Sequence, residues 1–134
     1  MSRLRWGIKA SLLGYVRGMA DGRVEVADGA TADGDAFVFE GADAPLAFRG
    51  SVALTGHGGL LRVTIVDPAI VEAAGGSVLE IADPDDPGAR LRFATIASFD
   101  GTTASGTALT VEGADLFFGP YSAGTAIDDP VVSA

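Results

Sequence analysis

Cysteine is absent from this 134-residue chain, which removes disulfides, thiolate metal ligands and cysteine nucleophiles from consideration. Positive charge is scarce. Nine Lys and Arg stand against 18 Asp and Glu, a net charge of -9, and a surface of that sign repels phosphate backbones and anionic lipid. Nucleic acid is therefore not an expected partner. No apolar run approaches the roughly 20 residues that a spanning helix needs, so no membrane insertion is expected. There is a single His, which excludes the paired histidines of zinc sites, and neither a Gly-x-Ser-x-Gly elbow nor a Walker loop occurs. Acidic residues are plentiful but fall mostly in turns, where a carboxylate is usually just solvated. The start, Met1-Ser-Arg-Leu-Arg-Trp6, lacks the apolar core and cleavage site of a secretory leader. As written the chain reads as cytoplasmic; as a mature fragment it would be extracellular or at the cell surface.

What remains is a globular composition, 48% hydrophobic and 20% charged, of a length that suits one domain over residues 1–134. Trp6–Gly18 is the one segment with helical periodicity. Leu12, Leu13 and Val16, with Trp6 and Ile8 before them, make an apolar stripe, while Arg5, Lys9 and Arg17 fall off it. Gly18 and then Asp21-Gly22 end the helix. Tyr15 sits on this segment with Ser11, Leu12, Gly18 and Met19 one turn away. Periodicity alone makes it the polar-tipped aromatic of a helix packed on a sheet; the small Ser11 and Gly18 beside it would also let a flat ligand reach the phenol. Met19 reads as packing.

After the helix, alternating or apolar runs are separated by charged turns. Arg23–Ala27 and Ala36–Glu40 flank a Gly/Asp-rich stretch. Leu46–Thr55 alternates cleanly, with Leu46, Phe48, Gly50, Val52 and Leu54 on one side. Leu60–Val66, a short edge strand at Ala69–Glu72, Ser77–Ala82, Ala89–Ala97 and Ala108–Glu112 follow. Roughly eight to eleven strands predict a mainly β chain, an antiparallel β-sandwich or flattened barrel with a short N-terminal helix packed on it.

His57 lies in Gly56-His57-Gly58-Gly59. Glycines that set a loop tolerate such a His with no further role; they also allow something large to come close, and an imidazole is a natural hydrogen-bond donor to a metal-bound oxygen.

Three stretches together resemble the HtaA domain family of bacterial haem-uptake proteins: Leu4–Val16, Phe48–Leu61 with the following Asp67-Pro68, and Phe118–Asp128. They occur in family order and span nearly the whole chain. The resemblance implies a domain that binds ferric haem b, with Tyr15 as the axial iron ligand and His57 hydrogen-bonded to it. Ser11, Leu12, Gly58, Phe118 and Tyr121 are the further cofactor-binding candidates, with Val16, Gly59 and Gly119 also available as apolar cover or for close approach. The propionates either meet local cations, for which Lys9, Arg49 and Arg62 are the candidates, or face solvent. The chemistry is consistent with such a role: a phenol titrates near pH 10 unless its anion is stabilised, which ferric iron and an imidazole N–H both do. The expected function is haem capture and transfer without catalysis, with haem, other haem-uptake proteins and a second copy in a homodimer as partners. A haem-processing enzyme and a structural or adhesive β domain are the rival readings.

Overall fold

The computed structural model describes residues 2–117 and 121–134. Among them, twelve strands form three antiparallel sheets that are not closed into a barrel. In the first, β12 (Val131–Ser133), β1 (Arg3–Trp6), β4 (Ala36–Gly41) and β3 (Ala30–Asp33) lie side by side, and β5 (Phe48–Arg49) also pairs with β4. The second runs β11 (Ala104–Leu109), β10 (Asp86–Phe99), β9 (Gly76–Asp83) and β8 (Ala69–Ala73). The third is β2 (Arg23–Ala27), β6 (Ser51–Gly56) and β7 (Leu61–Val66). The mainly β expectation holds, and β8 lies at the sheet edge where its short apolar run placed it.

Alternation decides which side chains meet. Leu4 and Trp6 of β1, Val52 and Leu54 of β6, and Leu61, Val63 and Ile65 of β7 all point inward. They join Phe37, Phe39, Phe48, Leu79, Ile81 and Phe93 in one core. Helix α1 (Ala10–Gly18) closes that core with Leu12, Leu13 and Val16.

Several boundaries differ from the sequence reading: the Gly/Asp-rich stretch before Ala36 holds strand β3, which pairs with β4 while β2 pairs with β6, and three further differences bear on the core and the site. The opening segment is a strand before it is a helix: Arg3–Trp6 alternates exposed and buried and pairs with Phe37–Glu40, so Trp6 and Ile8 serve the core from outside the helix. The long run from Leu46 breaks at Gly50, where the chain leaves β4 and continues as β6 between β2 and β7. The run Ala108–Glu112 ends as a strand at Leu109, because the Thr110 side chain accepts the Gly113 amide at 2.9 Å and starts helix α2 (Val111–Asp115). That is a normal Thr cap, and it turns the chain toward Phe117.

The sequence offers α1 no such cap. Lys9 stands in the capping position with no side-chain bond. The acceptor comes instead from Asp128, whose Oδ1 takes the Ala10 amide at 3.1 Å. The same residue's amide donates to the Ile8 carbonyl at 3.0 Å, and its carbonyl accepts the Trp6 indole N–H at 2.8 Å. The C-terminal segment thus fixes where the helix begins.

Candidate functional site

Tyr15 lies on the outer side of α1, 54% exposed, while its helical neighbours Leu12, Leu13 and Val16 are buried. That exposure excludes the reading of Tyr15 as a core aromatic. Its hydroxyl is hydrogen-bonded to Nε2 of His57, 42 residues away in sequence, with the ring centroids 5.4 Å apart.

His57 reaches it from the connection between β6 and β7. The register of these strands runs to Gly56 opposite Leu61, so only His57-Gly-Gly-Leu60 is left to reverse the chain. It does so in a single turn of 3-10 helix, in which the Leu60 amide donates to the His57 carbonyl at 3.1 Å. His57, Gly58 and Gly59 take φ of 51°, 63° and 94° in succession. Glycine adopts this left-handed backbone freely, whereas a side chain such as that of His57 meets a steric penalty there of roughly 1–2 kcal/mol. The turn therefore needs outside support. Part of it comes from Asp21, whose Oδ2 accepts the Gly58 amide at 2.7 Å. That bond, with smaller help from its own amide, the His57 amide and the His57 charge, holds the Asp21 carboxyl below its ordinary value against a lesser opposing effect of burial.

Tyr15 and His57 stand at one side of a cavity of about 260 Å³ lined by Leu12, Leu60, Leu61, Phe117 and Tyr121 as well. The far wall is anchored in the core by aromatic contacts. Trp6 meets Phe93 edge-on at 5.7 Å between centroids, Phe93 meets Phe117 at 5.9 Å, and Phe117 meets Tyr121 edge-on at 5.2 Å. Each such pair adds about 0.5–1.5 kcal/mol beyond burial, so this wall is stiff. Leu60, in contrast, stands at the mouth with 80% of its surface exposed.

Of the residues singled out from sequence, Tyr15, His57, Leu12 and Tyr121 share this cavity. Ser11 is exposed on α1, and Gly58 is exposed in the turn with open space where a Cβ would stand; neither lines the cavity. Phe118 and Gly119 lie outside the described residues. Val16 is fully buried and belongs to the core. Leu60, Leu61 and Phe117 were not singled out, although the apolar pair directly after Gly58-Gly59 was a usable signal for the first two. Among the candidate cations, the Lys9 ammonium lies 5.3 Å from the Tyr121 ring centroid and donates to the Ala126 carbonyl at 3.4 Å. Arg62 borders a neighbouring groove with Gly59 and Leu60. The Arg49 side chain packs at Gly29, beside β3, and does not line the cavity.

Among the described residues, no three His, Asp or Glu side chains gather as they would to hold a bare metal ion. The cavity offers two phenols, those of Tyr15 and Tyr121, and one imidazole, which is already bonded to the first. A metal suited to this donor set arrives carrying its own equatorial ligands and needs one hard oxygen and apolar cover. The residues present fit an iron porphyrin on that ground.

The family model for Htaa, the HtaA domain, matches residues 1–133. No curated protein sequence matches the chain. The crystal structure of the C-terminal domain of HtaA from Corynebacterium glutamicum is similar to this chain with a TM-score of 0.78 and 26% identity, covering 98% of this chain and 93% of that one. A histidine-to-alanine variant of the same domain, crystallised as a domain-swapped dimer, aligns with a TM-score of 0.65 and 27% identity over 96% of this chain and 92% of that one.

Proposed function

Because the chain belongs to the HtaA family, we propose that it binds ferric haem b through the Tyr15 phenolate and acts as a haem carrier or uptake module, with no catalysis of its own. One observation carries the reading: an exposed tyrosine hydroxyl, bonded to the only histidine of the chain, at the mouth of an apolar cavity. Haem is the cargo, and what this chain supplies is a donor, a proton acceptor and a wall.

His57 Nε2 can take the phenol proton and then return it as a hydrogen bond to the phenolate oxygen. The imidazolium so formed is the cation that stabilises the negative oxygen as a ligand. Phenolate is a hard donor that prefers ferric to ferrous iron, so reduction favours release, a useful property in a carrier. Leu12, Leu61, Phe117 and Tyr121 offer apolar contact, and Leu60 is an exposed apolar group that a ligand would cover. A cavity of about 260 Å³ lies below the roughly 300–1,000 Å³ of sites that enclose a small molecule, so part of the porphyrin stays accessible, as transfer to a partner protein requires. Lys9, already placed on the Tyr121 ring, is the nearest candidate to meet a propionate. A homodimer belongs to the reading as a further expectation; the domain-swapped form of the relative supports it.

The test is a hemin titration followed by absorbance. The wild-type chain should develop a Soret band with tyrosinate-type charge-transfer bands, and Tyr15→Ala should bind at least about 100-fold more weakly. Binding by Tyr15→Ala as tight as wild type, at matched protein concentration, overturns the axial assignment.

A further inference from the structure

The turn that carries His57 is gripped at two points by one short piece of chain. From α1, the Tyr15 hydroxyl bonds the imidazole. Six residues later, Asp21 Oδ2 accepts the Gly58 amide at 2.7 Å. The two grips are joined by a reversal with no slack: the Met19 amide donates to Val16 at 3.2 Å and the Gly22 amide to Met19 at 3.2 Å, and a Cβ on Gly22 would lie 1.8 Å from the Val16 carbonyl oxygen. Directly afterwards Arg23 enters register with Thr55, two residues before His57. The spacing of Asp21 from the turn is thus set by the end of the helix on one side and by a strand pair on the other.

We propose that Asp21 is the positioning residue of the site: by holding the Gly58 amide it fixes the left-handed turn at His57, and so aims the imidazole at the Tyr15 hydroxyl. Within the turn the three successive left-handed residues have only the bond from the Leu60 amide to the His57 carbonyl, and the outward-facing Gly58 amide is left for an anionic acceptor. Asp21 is that acceptor. Its carboxyl is exposed, so its place is not explained by core packing, and its lowered titration agrees with an anion held by that amide. Asp21 does not line the cavity; it acts through His57.

The inference deepens the haem reading but can be tested without haem. Apo wild type, Asp21→Ala and Asp21→Asn are compared by the Gly58 amide and His57 side-chain resonances in nitrogen–proton correlation spectra, with thermal melting as the check on folding. Asp21→Ala should move both signals, and Asp21→Asn, which keeps an acceptor oxygen, should restore them towards wild type. With hemin, Asp21→Ala should bind about tenfold more weakly with shifted charge-transfer bands, while Asp21→Asn stays close to wild type. Unmoved His57 and Gly58 signals in Asp21→Ala overturn the proposal, as does an Asn variant as displaced as the Ala variant. Should Asp21→Ala not fold, the Asn variant decides alone: wild-type signals support the acceptor role, and displaced ones overturn it. If wild type binds no hemin, the haem reading fails and the apo comparison still judges Asp21.

Discussion

Two turns in this chain are built with the same device and do different things. At the β10–β11 hairpin, Asp100 Oδ1 accepts the Thr102 and Thr103 amides at 2.8 and 2.7 Å, which hold its carboxyl below the ordinary value, the Thr103 bond most. At the β6–β7 turn, Asp21 holds Gly58. The first carboxylate belongs to the turn it closes and lies within three residues of its partners. The second comes from 37 residues away and ties the turn to the helix that bears Tyr15. A local carboxylate shapes a hairpin; a distant one bridges the segments that carry Tyr15 and His57. The surroundings differ in step: Tyr15 and Leu60 leave apolar surface exposed beside the second turn, whereas no residue of the first lines the cavity.

The glycines should separate the two turns most sharply. Gly22→Ala puts a methyl group into the Val16 carbonyl, in a reversal fixed at both ends. We expect about 3 kcal/mol of destabilisation, measured by denaturant unfolding, with hemin binding lost because Tyr15 and Asp21 no longer reach the turn together. Gly101→Ala meets open space and only strains a φ of 96°, at about 1 kcal/mol, with hemin binding intact. Equal effects of the two would show that the distant tie has no special weight.

His57→Ala comes next. The phenolate loses its hydrogen-bond donor but keeps its place on α1, so hemin affinity should fall about tenfold with shifted charge-transfer bands rather than vanish. Thr102→Ala, in the other turn, should leave the spectrum unchanged. Size exclusion should accompany the titration, since a histidine-to-alanine variant of the C. glutamicum domain forms a domain-swapped dimer.

The same contrast explains how much was legible in the sequence. Strands defined by their own alternation are read directly, as with Leu60–Val66, found one residue shorter at Leu61–Val66, and so is the end of α1 at Gly18. What depends on distant partners is not. The start of α1 is fixed by Asp128, 118 residues away, so Trp6 and Ile8 seemed to continue a helix when Trp6 ends a strand and Ile8 makes a corner at φ 63°. Tyr15 and His57 were each visible as chemistry, but their pairing came from resemblance, because no periodicity links positions 42 apart. Asp21 read as a helix-ending turn residue, which it also is; its hold on Gly58 exists only once β2 pairs with β6. Phe117 lines the cavity, but nothing in the sequence around it marks its ring as a cavity wall.

A smaller effect probes the exposed apolar surface that marks the site turn. Leu60 contributes little to the fold at 80% exposure, so Leu60→Ser should leave the melting temperature within about 2 °C of wild type. If a ligand covers roughly half of that side chain, about 1 kcal/mol of apolar contact is lost, a roughly fivefold weakening of hemin binding. A Leu60→Ser variant with unchanged affinity would detach Leu60 from the site and leave its exposure unexplained.

The smallest effect tests whether the two carboxylates really are the same device. A carboxyl held below its unfolded value contributes stability that is present above that value and lost as pH falls through the lowered one. For Asp100 the loss therefore begins near 3.8, the ordinary carboxylate value, and continues below it. Asp100→Asn keeps an acceptor but cannot take up that proton, so its melting temperature should fall slightly less than that of wild type between pH 5 and pH 3. Its hemin titration at neutral pH should be unchanged. A parallel fall in both proteins would mean that the bonds to Thr102 and Thr103 do not favour the ionised form, and the likeness between the two turns would then be one of geometry alone.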